Sequence, residues 1–151
     1  MNAEPRKIRS NGQEVRFLIV DDDHIVVMAI KRALKKLNAT NELLSAVDGV
    51  EALQLLTDDN GKTSIDRPFI VVLDINMPRM NGLELLSEIR ADAAIRSTVV
   101  FMLTTSDAPE DICSAYEKNI AGYILKDDLV GSFENAIALL DRYSETVILP
   151  T

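Results

Sequence analysis

The segment from Phe69 to Gly82, FIVVLDINMPRMNG, limits the folds open to this chain more than any other segment does. Five apolar residues run directly into Asp74, and the turn-forming pairs Met-Pro and Asn-Gly then precede an amphipathic run that begins at Leu83. A short apolar run between turn signals is typical of a strand that is buried on both faces, as in parallel sheets. Ligands of open parallel sheets bind outside the carboxyl ends of the strands, so Asp74 is a candidate for chemistry.

The pattern of a strand followed by a helix occurs five times along the chain. The strands are predicted at residues 16–21, 42–47, 69–74, 98–104 and 121–126. The helices are predicted at residues 24–37, 48–56, 83–91, 108–118 and 130–143. Repeated strand–helix units form a parallel sheet with helices on both faces and right-handed crossovers. The sequence therefore predicts an α/β fold with a doubly wound sheet.

Two helix starts carry the spacing of a capping box, in which an N-cap side chain and a Glu three residues later satisfy free backbone N–H groups. Asp48 and Glu51 have this spacing before the second helix, and Asp107 and Glu110 have it before the fourth. Pro109 also suits the first turn of a helix. We therefore expect the second and fourth helices to begin directly after Asp48 and Asp107.

A chain of 151 residues has the usual size of one domain. Residues 1–14 are polar and mixed in charge, which predicts a flexible N-terminal arm without a fold of its own. The folded domain is expected at residues 15–143, and residues 144–151 are expected to form a C-terminal tail.

Composition excludes several classes of function. The net charge of −8 argues against binding to nucleic acids or to anionic membrane surfaces, and it is compatible with a site for a divalent cation. A single cysteine, Cys113, excludes an internal disulfide framework and fits a reducing compartment. The chain has neither an N-terminal apolar signal segment nor a run of about 18 apolar residues, so we expect a cytoplasmic protein.

Polar side chains capable of chemistry stand at the ends of four predicted strands. Asp21 and Asp22 follow the first strand and Asp74 the third, while Thr104 and Lys126 end the fourth and fifth. Three crowded carboxylates repel one another and need a cation, and hard oxygen ligands favour Mg²⁺. A carboxylate beside Mg²⁺ and a lysine can attack phosphorus, a reaction that mainly requires positioning and charge neutralisation.

Each of these residues also has a structural interpretation. Asp21, Asp22 and Asp23 could merely cap the first helix, and Asp74 could simply open a loop. Thr104 and Lys126, taken singly, are more often structural or solvated. The functional interpretation therefore depends on their convergence at one edge of the predicted sheet.

The motifs FLIVDDD, VVLDINMPRMNGLELL, VVFMLTTS and AGYILK resemble the receiver domain of two-component response regulators. The resemblance covers about residues 16–143. It implies a CheY-like, flavodoxin-like fold in which a five-stranded parallel sheet of order 2-1-3-4-5 is flanked by five helices. It also implies a single-domain response regulator of a phosphorelay, which signals through protein contacts and is not a turnover enzyme.

The resemblance implies a role for each residue at the predicted edge. Asp74 would accept a phosphoryl group from the phosphohistidine of a sensor histidine kinase. Asp21, Asp22, Asp74 and the backbone oxygen of Asn76 would hold Mg²⁺, for which Mn²⁺ or Ca²⁺ could substitute. Lys126 would pair with Asp74 and later with the phosphoryl group.

The resemblance also implies a conformational switch. Thr104 would move toward the phosphoryl group, and Tyr123 would turn into the space that Thr104 leaves. Asn76, Thr105 and Ser106 stand where the family tunes autodephosphorylation and access to the phosphoryl group. Without the resemblance, Tyr123 would be interpreted as a half-buried aromatic residue on a short edge strand.

Two positions depart from the family's pattern. Asp127 follows Lys126, where receivers usually have a proline in cis linkage. A cis bond before a residue other than proline costs about 3 kcal/mol, so a trans bond and a reshaped loop are an equal alternative and the reach of Lys126 stays open. Thr105 stands where a smaller residue is usual, so we expect a slower reaction with a small phosphodonor than in Thr105→Ala.

The predicted output is a contact between two copies of the chain. The last helix has more apolar residues than one core face requires, and the tail is apolar at residues 147–149. The candidate dimer residues are Phe133, Ile137, Leu140, Tyr143 and Ile148. The alternative is a tail that folds back on its own domain.

The motifs DINMPRMNG and LTTS resemble those of response regulators that are paired with phytochrome-type histidine kinases.

Two rival functions conflict with particular residues. A phosphatase of the haloacid-dehalogenase type also uses a strand-end aspartate with Mg²⁺, but it needs a second aspartate where this chain has Asn76. A degenerate receiver that binds partners without phosphorylation is the other alternative, and the intact acidic set with Thr104 and Lys126 argues against it. His24 stands at a helix start, whereas phosphorelay histidines lie in the middle of bundle helices.

Overall fold

The computed structural model describes residues 7–10, 12–57, 69–77, 79–104 and 108–125, together with positions 135, 138, 139 and 142. The strands are β1 (Arg9–Ser10), β2 (Gln13–Glu14), β3 (Arg16–Val20), β4 (Leu43–Ala46), β5 (Phe69–Leu73), β6 (Val99–Thr104) and β7 (Gly122–Leu125). The helices with defined bounds are α1 (His24–Lys36), α2 (Gly49–Thr57), α3 (Gly82–Ala91) and α4 (Pro109–Glu117).

Five parallel strands form the central sheet in the order β4-β3-β5-β6-β7. Numbered among themselves along the chain, these strands have the order 2-1-3-4-5, which confirms the predicted doubly wound sheet. Val20 lies opposite Leu73, and Leu73 lies opposite Met102, so the carboxyl ends of β3, β5 and β6 meet at one edge. We call this edge the carboxyl edge of the sheet.

The central strand β5 is buried on both faces, as its uninterrupted apolar run predicts. Ile70 and Val72 belong to one core layer, which also contains the buried face of α1. Val71 and Leu73 point to the other layer, which contains buried residues of α2, α3 and α4. Since side chains alternate along a strand, a strand between two helical layers must be apolar at every position.

The helix α1 buries one apolar stripe. Val26, Ile30, Ala33 and Leu34 are at most 4% exposed, which confirms the face that their spacing predicts. The N-cap of α1 is Asp23, whose side chain accepts a hydrogen bond from the Ile25 N–H. Lys35 and Lys36 lie in the last turn, where positive charge complements the helix dipole and stabilises the helix.

The helix α4 begins one residue later than the capping-box spacing predicts. Ala108 occupies the N-cap position with an extended backbone, and no side chain caps the helix there. The cause is Pro109, whose ring disfavours helical backbone angles at the preceding residue. Pro109 is therefore the first helical residue, and the predicted capping box stays a prediction, because Asp107 lies outside the described residues.

Residues 7–14 differ from the expectation of a flexible arm. The strands β1 and β2 form a short antiparallel hairpin, and Gly12 between them has a φ of +79° that suits a tight turn. Ile8 and Val15, on either side of the hairpin, are at most 1% exposed. The Asn41 amide accepts from the Ile8 N–H at 2.7 Å and donates to the carbonyl oxygens of Ile8 and Val15 at 2.8 and 2.6 Å.

The predicted fifth helix lies mostly outside the described residues. Its described positions, Asn135, Ala138, Leu139 and Arg142, are helical. No helix in the described part of the chain has both the length and the apolar composition that crossing a membrane requires.

Candidate functional site

Three acidic side chains meet at the carboxyl edge of the sheet. Asp21 directly follows β3, and Asp74 directly follows its neighbour β5. One carboxylate oxygen each from Asp21, Asp22 and Asp74 lie within 4.8 Å of one another. Asp21 is 4% exposed and Asp74 is 7% exposed, whereas Asp22 is open to solvent. The structure thus brings together the three carboxylates that the sequence placed at strand ends.

Backbone hydrogen bonds fix two of these residues beyond the strands themselves. The Asp74 N–H donates to the Val20 carbonyl oxygen at 2.9 Å, and the Asp21 N–H donates to the Ala46 carbonyl oxygen at 3.0 Å. The ladder of the sheet therefore extends to the acidic residues, and their carboxylates start from a rigid backbone.

The capping interpretation is correct for Asp23. The Asp23 side chain accepts from the Ile25 N–H at 2.9 Å, and the Asp23 N–H donates to the Asp21 carboxylate at 2.9 Å. Asp23 thus caps α1, while Asp21 and Asp22 belong to the acidic cluster.

The acidic cluster fits a magnesium ion in donor type and spacing. Mg²⁺ binds oxygen ligands at about 2.0–2.1 Å, so two oxygens on opposite sides of the ion are about 4.2 Å apart. The carboxylate oxygens of the cluster, within 4.8 Å of one another, need only small side-chain movements to reach that spacing. Like charges so close together also favour a bound cation.

The loop between β5 and α3 passes very close to the Asp74 backbone. The Gly82 N–H donates to the Ile75 carbonyl oxygen at 2.8 Å. A Cβ atom at Gly82 would lie 2.1 Å from the Asp74 carbonyl oxygen, so only glycine fits. The Asn-Gly pair indicated a turn in the sequence, but this packing constraint comes from a contact that a turn signal does not predict.

A contact that sequence reasoning missed joins the start of α2 to the same loop. The Asp48 carboxylate accepts from the Glu51 N–H at 2.9 Å, as the capping box predicts. Its other oxygen accepts from the Arg79 Nε at 2.6 Å. The Glu51 N–H holds the pKa of the Asp48 carboxyl below its ordinary value of 3.8, and the Arg79 guanidinium lowers this pKa further against the effect of burial.

The remaining predicted site residues are only partly within the described chain. Thr104 is the last residue of β6 and lies opposite Leu125, so its backbone is at the carboxyl edge. Asn76 follows Asp74 by two residues and is exposed. Tyr123 is half-buried on the edge strand β7, opposite Met102, as its structural interpretation predicts.

Several predicted residues lie outside the described part of the chain. They are the catalytic candidate Lys126, the tuning candidates Thr105 and Ser106, and the dimer candidates Phe133, Ile137, Leu140, Tyr143 and Ile148.

Comparison with known proteins gives one consistent family. A family model described as the response regulator receiver domain matches residues 17–137. The response regulator Rcp1 of Synechocystis sp. is 30% identical over 142 residues, which cover 93% of this chain and 96% of that protein.

Solved structures agree with the sequence comparison. The phosphorylated cyanobacterial phytochrome response regulator RcpA superposes with a TM-score of 0.81 at 26% identity, covering 90% of this chain and 98% of that one. The Mn²⁺-bound form of Rcp1 superposes with a TM-score of 0.79 at 29% identity, covering 91% of this chain and 99% of that one.

Proposed function

Since the chain belongs to the family of response regulator receiver domains, we propose that Asp74 accepts a phosphoryl group from a sensor histidine kinase in a reaction that requires Mg²⁺. The observation that carries this proposal is the acidic cluster, in which Asp74 is buried beside Asp21 and Asp22. A strand-end carboxylate with two acidic neighbours is the arrangement that metal-assisted phosphoryl transfer needs.

The proposed transfer uses the Asp74 carboxylate as nucleophile. One of its oxygens forms a bond to phosphorus while the bond between phosphorus and the imidazole nitrogen of the kinase histidine breaks. Asp21, Asp22, Asp74 and the backbone oxygen of Asn76 would hold Mg²⁺, which would supply positive charge to neutralise the phosphoryl oxygens. Mn²⁺ could take the same place, because carboxylate and carbonyl oxygens suit both ions.

Two further residues complete the proposed site. Lys126, which directly follows the last residue of β7 in the sequence, contributes a positive charge that pairs first with Asp74 and then with the phosphoryl group. The Thr104 hydroxyl donates a hydrogen bond to the phosphoryl group, and Tyr123 turns inward when Thr104 moves. Asn76, Thr105 and Ser106 control the access of water, which attacks phosphorus and releases phosphate to restore the Asp74 carboxylate.

The protein is proposed to act as a phosphorylated signal rather than as a turnover enzyme. Its partner is a histidine kinase, and a phytochrome-type kinase is the specific proposal because the cyanobacterial relative RcpA is named as a phytochrome response regulator. The output proposed is a homodimer formed through the fifth helix and the tail. Light scattering at micromolar concentration should give the mass of two chains, whereas a mass of one chain before and after phosphorylation would exclude the dimer.

The phosphorylation proposal is tested with a small acyl phosphate as donor. We expect intact-mass spectrometry to show one added phosphoryl group in the presence of Mg²⁺ and none when the ion is chelated. Asp74→Asn should abolish the adduct. The matched control is Asp23→Asn, which keeps the helix cap because Asn and Asp cap equally well. An adduct of undiminished yield on Asp74→Asn would overturn the assignment.

A further inference from the structure

The loop that follows Asp74 is attached to the start of α2 by an ion pair. The Arg79 Nε donates to the Asp48 carboxylate at 2.6 Å, across 31 residues of sequence. The Asp48 side chain is only 4% exposed, and the Arg79 side chain is 60% exposed. The buried partner is thus fixed in the protein, and the arginine reaches it from the solvent side.

The backbone of Arg79 is held in an unusual conformation. Its φ is +64°, in the left-handed region that residues with a Cβ adopt rarely because of steric crowding. Such a conformation persists where surrounding contacts impose it. The bond from Arg79 to Asp48 is one contact that holds this residue in place.

A second contact lies directly beside the ion pair. The Gly49 N–H donates to the Met80 carbonyl oxygen at 3.1 Å. A Cβ atom at Gly49 would lie 2.7 Å from the Met80 Cγ, so the start of α2 and the loop are packed without space between them. Two consecutive residues of the loop are therefore attached to two consecutive residues at the start of α2.

The same loop is closed at its base. The Gly82 N–H donates to the Ile75 carbonyl oxygen at 2.8 Å, next to Asp74 itself. The loop is thus held at its base by the Gly82 bond, and at Arg79 and Met80 by the start of α2. A cation site that uses a backbone oxygen of such a loop gains affinity when the loop is held in place before binding.

We propose that the Asp48–Arg79 ion pair positions this loop and thereby sets the affinity of the acidic cluster for the divalent cation. This inference rests on the proposed function, in which the cation is bound by the cluster and by the Asn76 backbone oxygen. Asp48 and Arg79 are positioning residues: they act through the loop and do not contact the ion.

The test separates the ion pair from the helix cap. Asp48→Asn keeps an oxygen that can accept from the Glu51 N–H, but it removes the charge that Arg79 pairs with. Arg79→Gln removes the other charge, and the double variant completes a cycle. Arg79→Lys keeps the charge and is the conservative variant. The control is Glu42→Gln, which removes the charge from the exposed Arg16–Glu42 pair of 3.2 Å, formed between the first residue of β3 and the residue before β4.

The readout is the dissociation constant for Mg²⁺ alone, measured by titration calorimetry on the full chain, with thermal unfolding of the metal-free protein recorded in parallel. We expect Asp48→Asn and Arg79→Gln each to bind Mg²⁺ about three- to tenfold more weakly than the wild type does. The affinity of the double variant should be no lower than that of the single variant with the lower affinity. Arg79→Lys should recover part of the affinity, and Glu42→Gln should match the wild type.

Three results would overturn the inference: single variants whose Mg²⁺ affinity equals that of Glu42→Gln, additive losses in the double variant, or a loss of unfolding temperature without a loss of affinity. Failure of the proposed function looks different, because wild-type protein would then show neither Mg²⁺ binding nor phosphorylation.

Discussion

At the scale of single residues, the acidic cluster places three carboxylates close together at the carboxyl edge of the sheet. Asp21 and Asp74 are both buried, and their carboxylates lie close to each other and to Asp22. Without a cation, these charges repel one another in a region where water screens them poorly. Residues that serve a site in this way lower the free energy of unfolding, and their removal should raise it.

We predict that Asp21→Asn stabilises the metal-free protein by about 1 kcal/mol, because it removes one of the repelling charges. An asparagine keeps an oxygen that can accept from the Asp23 N–H, so the local hydrogen bond is retained. Urea unfolding in the presence of a chelator measures the effect. In saturating Mg²⁺ the order should reverse, since the wild type gains stability from the ion and the variant gains little. A variant that is less stable than wild type with and without Mg²⁺ would contradict the prediction.

The pH dependence of Asp48 provides a second test at this scale. The pKa of Asp48 is lowered in the folded protein, first by the Glu51 N–H and then by Arg79. A lowered folded pKa contributes stability that is fully present above the unfolded pKa and is lost as the pH falls through the folded pKa. We therefore predict that the wild type exceeds Asp48→Asn in unfolding free energy at neutral pH. The difference should shrink only below the ordinary pKa of 3.8, as followed by urea unfolding over a pH series. A difference already lost at about pH 6 would be inconsistent with this assignment.

The residues of the cluster could be predicted from the sequence, but their supports could not. Asp21, Asp22 and Asp74 each follow an apolar strand, and parallel strands bring such residues to one edge. Arg79 carries no such signal, because its partner Asp48 is 31 residues away and already has a local interpretation as a helix cap. The same holds for Gly82, whose role depends on its distance from the Asp74 carbonyl oxygen.

At the scale of secondary-structure elements, Arg90 ties the end of α3 to its neighbours. Its guanidinium donates to the carbonyl oxygens of Lys118, Arg96, Thr98 and Asn119 at 2.7 to 2.9 Å. These oxygens belong to the segment before β6 and to the two residues that follow α4. They lie near the amino ends of the strands, at the edge of the sheet opposite the carboxyl edge where Asp74 lies.

We predict that Arg90→Lys lowers the free energy of unfolding by about 2 kcal/mol, because an ammonium cannot satisfy carbonyl oxygens spread over so wide an arc. Urea unfolding measures the loss, and Arg96→Lys on the exposed surface is the matched control. Mg²⁺ affinity should stay at the wild-type value, since the acidic cluster is at the other end of the sheet. Equal stability of the Arg90 and Arg96 variants would refute the role given to Arg90.

Long, periodic elements were predictable, and short or locally constrained ones were not. The strands of the sheet and the buried face of α1 followed from apolar runs and from helical spacing. The hairpin of β1 and β2 has two residues in each strand, too few for any periodicity. Its stability depends on Ile8 in the core and on the distant Asn41 amide. The helix α4 begins at Pro109, one residue after the predicted start, because a proline disfavours helical backbone angles at the residue before it.

At the scale of the whole molecule, the strand order explains where the site lies. From β3 the chain moves outward to β4 and then crosses back to β5 on the other side of β3. The two connections leave β3 and β5 toward opposite faces: α1 packs on one face, and α3 packs on the other. A crevice therefore opens between the carboxyl ends of β3 and β5, which is where Asp21 and Asp74 lie.

Asp74, and no other residue, is proposed to carry the phosphoryl group. The most direct measurement is to phosphorylate the wild-type protein with a small acyl phosphate in Mg²⁺, reduce the product with borohydride and sequence the peptides by mass spectrometry. Borohydride converts an aspartyl phosphate to the corresponding alcohol and leaves unmodified aspartates unchanged. We expect the reduced residue at position 74 alone, with Asp21 and Asp22 intact. Reduction at Asp21 or Asp22 with position 74 unmodified would contradict it.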